Sequence, residues 1–348
     1  MLENFGNRLH SARKMSGLSM DKLVEKMGGI ITKQAISKYE KGKMKPSSLI
    51  ITKLSNALGV RSDYFLRKSD IDISQLKFRK KSKLAIKKEE ALRFKAKDLL
   101  ERYADLEDIL NSKNDFKNPL ETSKIVDFND IERQSLEIRK KWNLGLSPIC
   151  NILGLLEEKG IKVLLISGFG NFDGLSGWIS ENPFIIINND IDSVRKRFTA
   201  AHELAHIVID FSQAPFDSKE KLCHMFAGAF LLPKEVLAQE LIRKRQQITL
   251  WELLEIKKIY GISLQAIVYR AHYLRYISDY HYRRFQIFIN KNKWRKSEPG
   301  AYEGQEEVIR FKQLLNYAVA EEIITLSKAA ELANMSLFEF EKEVQAVI

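Results

Sequence analysis

A chain of 348 residues is too long for one ordinary domain of roughly 150 residues, and 45% hydrophobic with 29% charged residues, 17 Gly and 7 Pro exclude a disordered, collagen-like or repeat protein. Two cysteines, Cys150 and Cys223, exclude a disulfide scaffold, and residues 1–8 lack the apolar core of a signal peptide, so a cytoplasmic protein is expected. No run approaches the ~18 apolar residues of a membrane span, and most of the net charge of +12 lies in residues 1–68, which hold 14 Lys and Arg against 5 Asp and Glu.

That concentration of cations favours a polyanion as partner. Apolar positions in residues 1–68 recur at helical spacing through five short segments, starting with Phe5, Leu9 and Ala12. Ser19 is placed to cap the second helix, Leu23, Val24 and Met27 give it an inner face, and Gly28-Gly29 ends it. Thr32 then caps a helix over residues 33–40. In that helix Ala35, Ile36 and Tyr39 turn inward while Lys33, Gln34, Ser37 and Lys38 turn outward. Gln suits adenine, Lys guanine or phosphate and Ser either, which is the surface of a major-groove reader. Lys41, Lys43 and Lys45 follow it, placed for phosphates.

The run Gln34 to Gly42, with Pro46-Ser47, Leu54, Ala57-Leu58-Gly59-Val60 and Tyr64-Phe65-Leu66, resembles the Xre/Cro-type helix-turn-helix of phage and plasmid repressors over nearly all of residues 3–67. The resemblance implies double-stranded operator DNA as partner and action as a homodimer on paired half-sites.

Residues 69–80 are polar and read as a linker, and the 3.6-residue period resumes over 81–110 as a long connecting helix. A loop over 111–124 precedes two helices at 131–142 and 149–159. The period then changes: 160–166 is strand-like, the Gly-rich 168–177 turn-like, and Trp178-Ile179 and 184–188 suggest further strands. The spacing of these glycines does not match a phosphate-binding loop.

A small sheet thus precedes His202-Glu203-Leu204-Ala205-His206. Two imidazoles four apart on a helix share one face and suit one Zn²⁺, while Glu203 between them is placed to act on water as general base. A third protein ligand is needed. Asp210, Asp217, Glu220 and His224 are the nearby candidates, of which Glu220 is preferred and His224 is expected to hold a ligating His in place or else to compete as ligand. Ile209 and Ser212 stand where the metzincin extension needs Gly and His, which excludes that class.

The segments Arg197-Phe198-Thr199, Ala201 to His206, Glu220, Phe226-Ala227, Leu231-Leu232-Pro233 and Ile185 to Asn188 resemble the ImmA/IrrE family of zinc metallopeptidases. The resemblance continues through 253–270, Ile277-Ser278, Trp294-Arg295, Glu298-Pro299 and Ser327 to Leu332. It implies His202, His206 and Glu220 as ligands and Glu203 as base, with Cys223-His224 departing from the usual Ala followed by Asn or Asp. A second helical pair over 250–276 is rich in aliphatic and aromatic residues and is expected to close the core rather than read DNA. The final helices are expected at 306–322 and 326–347.

The expected class is mainly α (α+β), with an all-helical DNA-binding domain at 1–68, a linker and connecting helix at 69–124, a zincin-like domain with a small sheet at 125–245 and a helical region at 246–348. The expected function is a DNA-binding regulator with a zinc endopeptidase, cleaving a repressor-type or antitoxin protein or its own linker. The alternative is a non-proteolytic regulator with a structural or sensing zinc.

Overall fold

The computed structural model describes residues 2–67, 76–78, 84–120, 128–170, 172–212, 218–241 and 248–345. Helices α1 (Leu2–Met15), α2 (Met20–Lys26), α3 (Lys33–Glu40) and α4 (Ser48–Leu58), closed by a 3-10 turn over Ser62–Leu66, make the N-terminal unit around Leu9, Leu23, Ile36, Leu54 and Phe65. Ser19, Thr32 and Ser47 each accept an N–H of the following first turn, from Lys22, Ala35 and Ile50, satisfying donors that a helix start leaves open. α1 meets the end of α3 so closely that a Cβ on Gly6 would overlap the Tyr39 and Glu40 carbonyls. There Glu40 accepts from Arg13 at 2.6 and 2.8 Å and lies 3.1 Å from His10 Nδ1. Burial pushes the Glu40 carboxyl up, but Arg13 and His10 outweigh it and hold it below its ordinary range.

The rest is mainly helical around a small sheet. Strands β1 (Leu76–Phe78), β2 (Lys162–Ile166), β3 (Gly174–Ile179) and β4 (Asn182–Asn188) lie in the order β1-β3-β4-β2. β2 runs parallel to β4, and the other pairs are antiparallel, with Leu76 opposite Ile179 and Gly174 opposite Ile187. Both faces are covered, which is why the strands read as unbroken apolar runs. Val163, Ile185 and Ile187 enter the main core on the side of α8 (Ser193–Val208), while Leu164, Ile166, Phe184 and Ile186 pack against Leu92, Ala96 and Leu100 of α5 (Ile86–Leu110).

The main core is completed by α6 (Phe128–Lys141), α7 (Ile152–Glu158), α9 (Lys219–Leu231), α10 (Lys234–Leu241), α11 (Leu250–Tyr260) and α12 (Leu264–Tyr273). The pair α11 and α12 contributes Leu253, Ile256, Ile267 and Val268 to that core. Beyond it come α13 (Asp279–Lys291), α14 (Arg310–Ala320), α15 (Leu326–Ala333) and α16 (Leu337–Gln345), the last three packing on Leu106 of α5.

Four expectations need correction. The polar stretch read as a linker carries β1, where Leu76 is buried against the sheet; three residues are too few to show a period, and the pairing comes from β3. The Gly-rich segment is not all turn, since Gly174 and Gly177 lie inside β3. A Cβ on Gly177 would overlap the Phe184 ring, so the glycine marks close packing rather than a bend. α13 was not anticipated, because its apolar Tyr282, Phe285 and Ile289 are interleaved with Arg and His. The last expected helix is two, broken where Asn334 takes φ 58°. Among the described residues no helix is long and apolar enough to cross a membrane.

Candidate functional site

Helix α8 places the His-Glu-x-x-His residues, and its pose is fixed at both faces. Asp192 caps it by accepting from Arg195 N. Gly174 lets it approach β3, since a Cβ there would overlap the Thr199 methyl. Arg197 is fully buried, donates to the Ile149 carbonyl at 2.7 Å and the Tyr260 carbonyl at 3.2 Å, and pairs with Glu306. A guanidinium so held sets the rotation of the helix, and with it the direction of His202 and His206.

The structure brings three donors to one point. His202 Nε2 lies 3.4 Å and His206 Nε2 3.7 Å from the two oxygens of Glu220 on α9. Donors each about 2.1 Å from one tetrahedral ion stand roughly 3.4 Å apart, so the set fits zinc. Two imidazoles and a carboxylate are the donor chemistry of an open zinc site with room for water. His202, His206 and Cys223 also place one donor each within 4.8 Å of one another. Cys223 Sγ, however, stands 3.2 Å from His206 Nδ1, the ring nitrogen facing away from Glu220. Of the other candidates, Asp210 accepts from Ser212 N and Oγ, and Asp217 lies outside the described residues.

Glu203 is buried and accepts from Ser176 Oγ of β3 at 2.7 Å. His224 sits with its ring 4.4 Å from that of His202 and stacked on Phe198. Desolvation first, and the neighbouring His202 second, pull its pKa down to about 4, so it stands neutral at pH 7. His224 thus stands against His202 through its ring, while the residue beside a ring nitrogen of His206 is Cys223. Ser176, Cys223 and Glu306 are the site residues that sequence reasoning missed. Ser176 and Glu306 lie far from the motif in sequence, and no spacing rule reaches them.

On the N-terminal unit, Ile36 and Tyr39 of α3 are buried. Thr32, Lys33, Gln34, Lys38, Lys41 and Lys43 are exposed, and Ser37 is half-buried. Lys33 pairs with Asp21 of α2 at 2.8 Å.

Residues 156–272 match the peptidase family described as the IrrE N-terminal-like domain, and residues 9–65 match the helix-turn-helix family. The chain joins a helix-turn-helix domain to an IrrE N-terminal-like domain. Over 63 residues the chain is also similar to the SPbeta prophage-derived uncharacterized HTH-type transcriptional regulator YonR of Bacillus subtilis (strain 168), with 43% identity, 18% of this chain and 56% of that protein. The match thus spans little more than half the length of the curated relative. The IrrE-like match starts within α7 and ends within α12, so it contains β2, β3, β4, α8 and α9 but not β1.

Proposed function

We propose that the chain is a DNA-binding transcription regulator whose IrrE-like domain is a zinc-dependent endopeptidase. The observation that carries the reading is a buried Glu203 held by Ser176 beside the convergent His202, His206 and Glu220; a purely structural zinc has no use for the Glu. Zinc, when bound, supplies Lewis acidity toward a peptide carbonyl and acidifies water. Glu203 takes the proton of the attacking water and passes it to the leaving amine. Ser176 keeps the carboxylate in one orientation through both transfers. The exposed face of α3 reads operator DNA, with Gln34, Ser37 and Lys38 on base edges and Lys41 and Lys43 on phosphates, as a homodimer in the cytoplasm.

The substrate is a repressor-type or antitoxin protein, or the chain's own stretch 69–80, of which 76–78 is described. The test is incubation of the zinc-loaded protein and of Glu203→Gln with neighbouring repressors, followed by mass spectrometry. Cleavage by the wild type, reduced at least about 10²-fold in the variant at unchanged metal content, supports the peptidase. Bound zinc with no cleavage by either protein returns the reading to a non-proteolytic regulator with a sensing or structural zinc.

A further inference from the structure

The two histidines of the metal centre are held differently. His202 Nδ1 is buried with no hydrogen-bond partner among the described residues. His206 Nδ1 lies 3.2 Å from Cys223 Sγ, and Cys223 is fully buried one turn along α9 from Glu220. An imidazole that offers Nε2 to a metal carries its proton on Nδ1, and a partner for that N–H fixes both tautomer and ring orientation. A carboxylate or backbone carbonyl usually serves; here a thiol stands in that position.

We infer that Cys223 is the positioning residue of the metal centre: its sulfur accepts the Nδ1–H of His206 and so aims Nε2 at the point shared with His202 and Glu220. The inference rests on the metal-centre reading above. The geometry separates this role from direct ligation. Glu220 stands against the Nε2 atoms of both histidines, whereas Cys223 stands against the opposite nitrogen of His206. One ion held by both Nε2 atoms and Glu220 therefore leaves Cys223 outside its ligand set. α9 serves both functions because residues three apart share a helix face, so one helix delivers the carboxylate ligand and the sulfur that orients its neighbour.

The experiment measures zinc affinity of the full chain by chelator competition for wild type, Cys223→Ala and Cys223→Ser, with the visible and near-ultraviolet absorption of the cobalt(II) forms. Loss of the acceptor in Cys223→Ala is expected to weaken zinc about 10- to 100-fold. Serine restores an acceptor and is expected to recover part of the loss, which a defect of packing alone would not. Circular dichroism and thermal melting of the metal-free proteins check that each variant is folded. Wild-type cobalt protein is expected to show no thiolate-to-metal charge-transfer band. Such a band, lost in Cys223→Ser, would make Cys223 a ligand and overturn the inference, as would unchanged affinity in Cys223→Ala. A wild type that takes up neither zinc nor cobalt would overturn the metal-centre reading together with it.

Discussion

At Glu203 the Ser176 hydroxyl helps to set where the carboxylate points, the carboxylate to which the proposed function gives the proton transfers. Ser176→Ala removes the 2.7 Å hydrogen bond without touching His202, His206 or Glu220. We expect turnover to fall about tenfold, the worth of one charge-assisted hydrogen bond of about 1.4 kcal/mol, with zinc content unchanged; loss of zinc in that variant would instead make Ser176 part of the metal framework. Glu40 shows the same logic at the other end of the chain. Its carboxylate gathers Arg13 and His10 where α1 meets α3, so Glu40→Gln should destabilise the helix-turn-helix unit by about 2 kcal/mol in urea unfolding at pH 7. Because its folded pKa lies below the ordinary 4.5, this stability is present above that pH and is lost as pH falls through the lower folded value. The wild type and Glu40→Gln should therefore converge in acid, and a gap that persists at pH 2 would count against the assignment.

At the level of elements, α7 and the segment leading into α14 cap each other. Glu306 accepts from the N–H groups of Ile152 and Leu153 at the start of α7, while Glu157 at its end accepts from Ile309 and Arg310 at the start of α14. Burial raises Glu157 to about 6, and its Oε1 finds no partner among the described residues. The folded chain thus holds a proton there that the unfolded chain has released, and stability falls as pH rises from about 4.5 to about 6. Glu157→Gln keeps an acceptor and removes the charge. It should be more stable than wild type at pH 7 by about 1–2 kcal/mol and indistinguishable near pH 4, read from thermal unfolding. What the sequence revealed at this level follows from range. Caps such as Ser19 and Thr32, the helix around His202, and strands buried on both faces are written in residues a few positions apart. β1, the glycines inside β3 and the partners Ser176 and Glu306 are not. Each depends on a contact between segments distant in sequence, and three residues of strand or a lone serine carry no period of their own.

Across the whole molecule the DNA-binding unit is seated on α5 largely by charge. Arg8 pairs with Glu101, Arg67 with Asp98 at 2.6 Å, and Arg102 of α5 reaches Asp98 and the Leu332 carbonyl, so the same helix also touches α15. Arg8 and Glu101 are almost fully buried, and a buried cation stripped of its partner costs about 3–5 kcal/mol. Glu101→Ala should unseat residues 2–67 without unfolding them, seen as faster hydrogen exchange along the faces of α1 and α5 while α3 keeps its protection. Uniformly faster exchange throughout residues 2–67 would mean that the unit does not fold alone. The seating also sets what a break in the backbone would do. α5 begins only at Ile86, after the stretch 69–80, so a cut there would sever the covalent tie and leave the Arg8 and Arg67 pairs intact. The severed domain would change its bookkeeping from one chain to two: an effective concentration on the order of millimolar would give way to the few copies in free solution. Release from α5 would then be governed by dilution and ionic strength, and the Arg8 and Arg67 pairs would set how long the two pieces stay together after a cut.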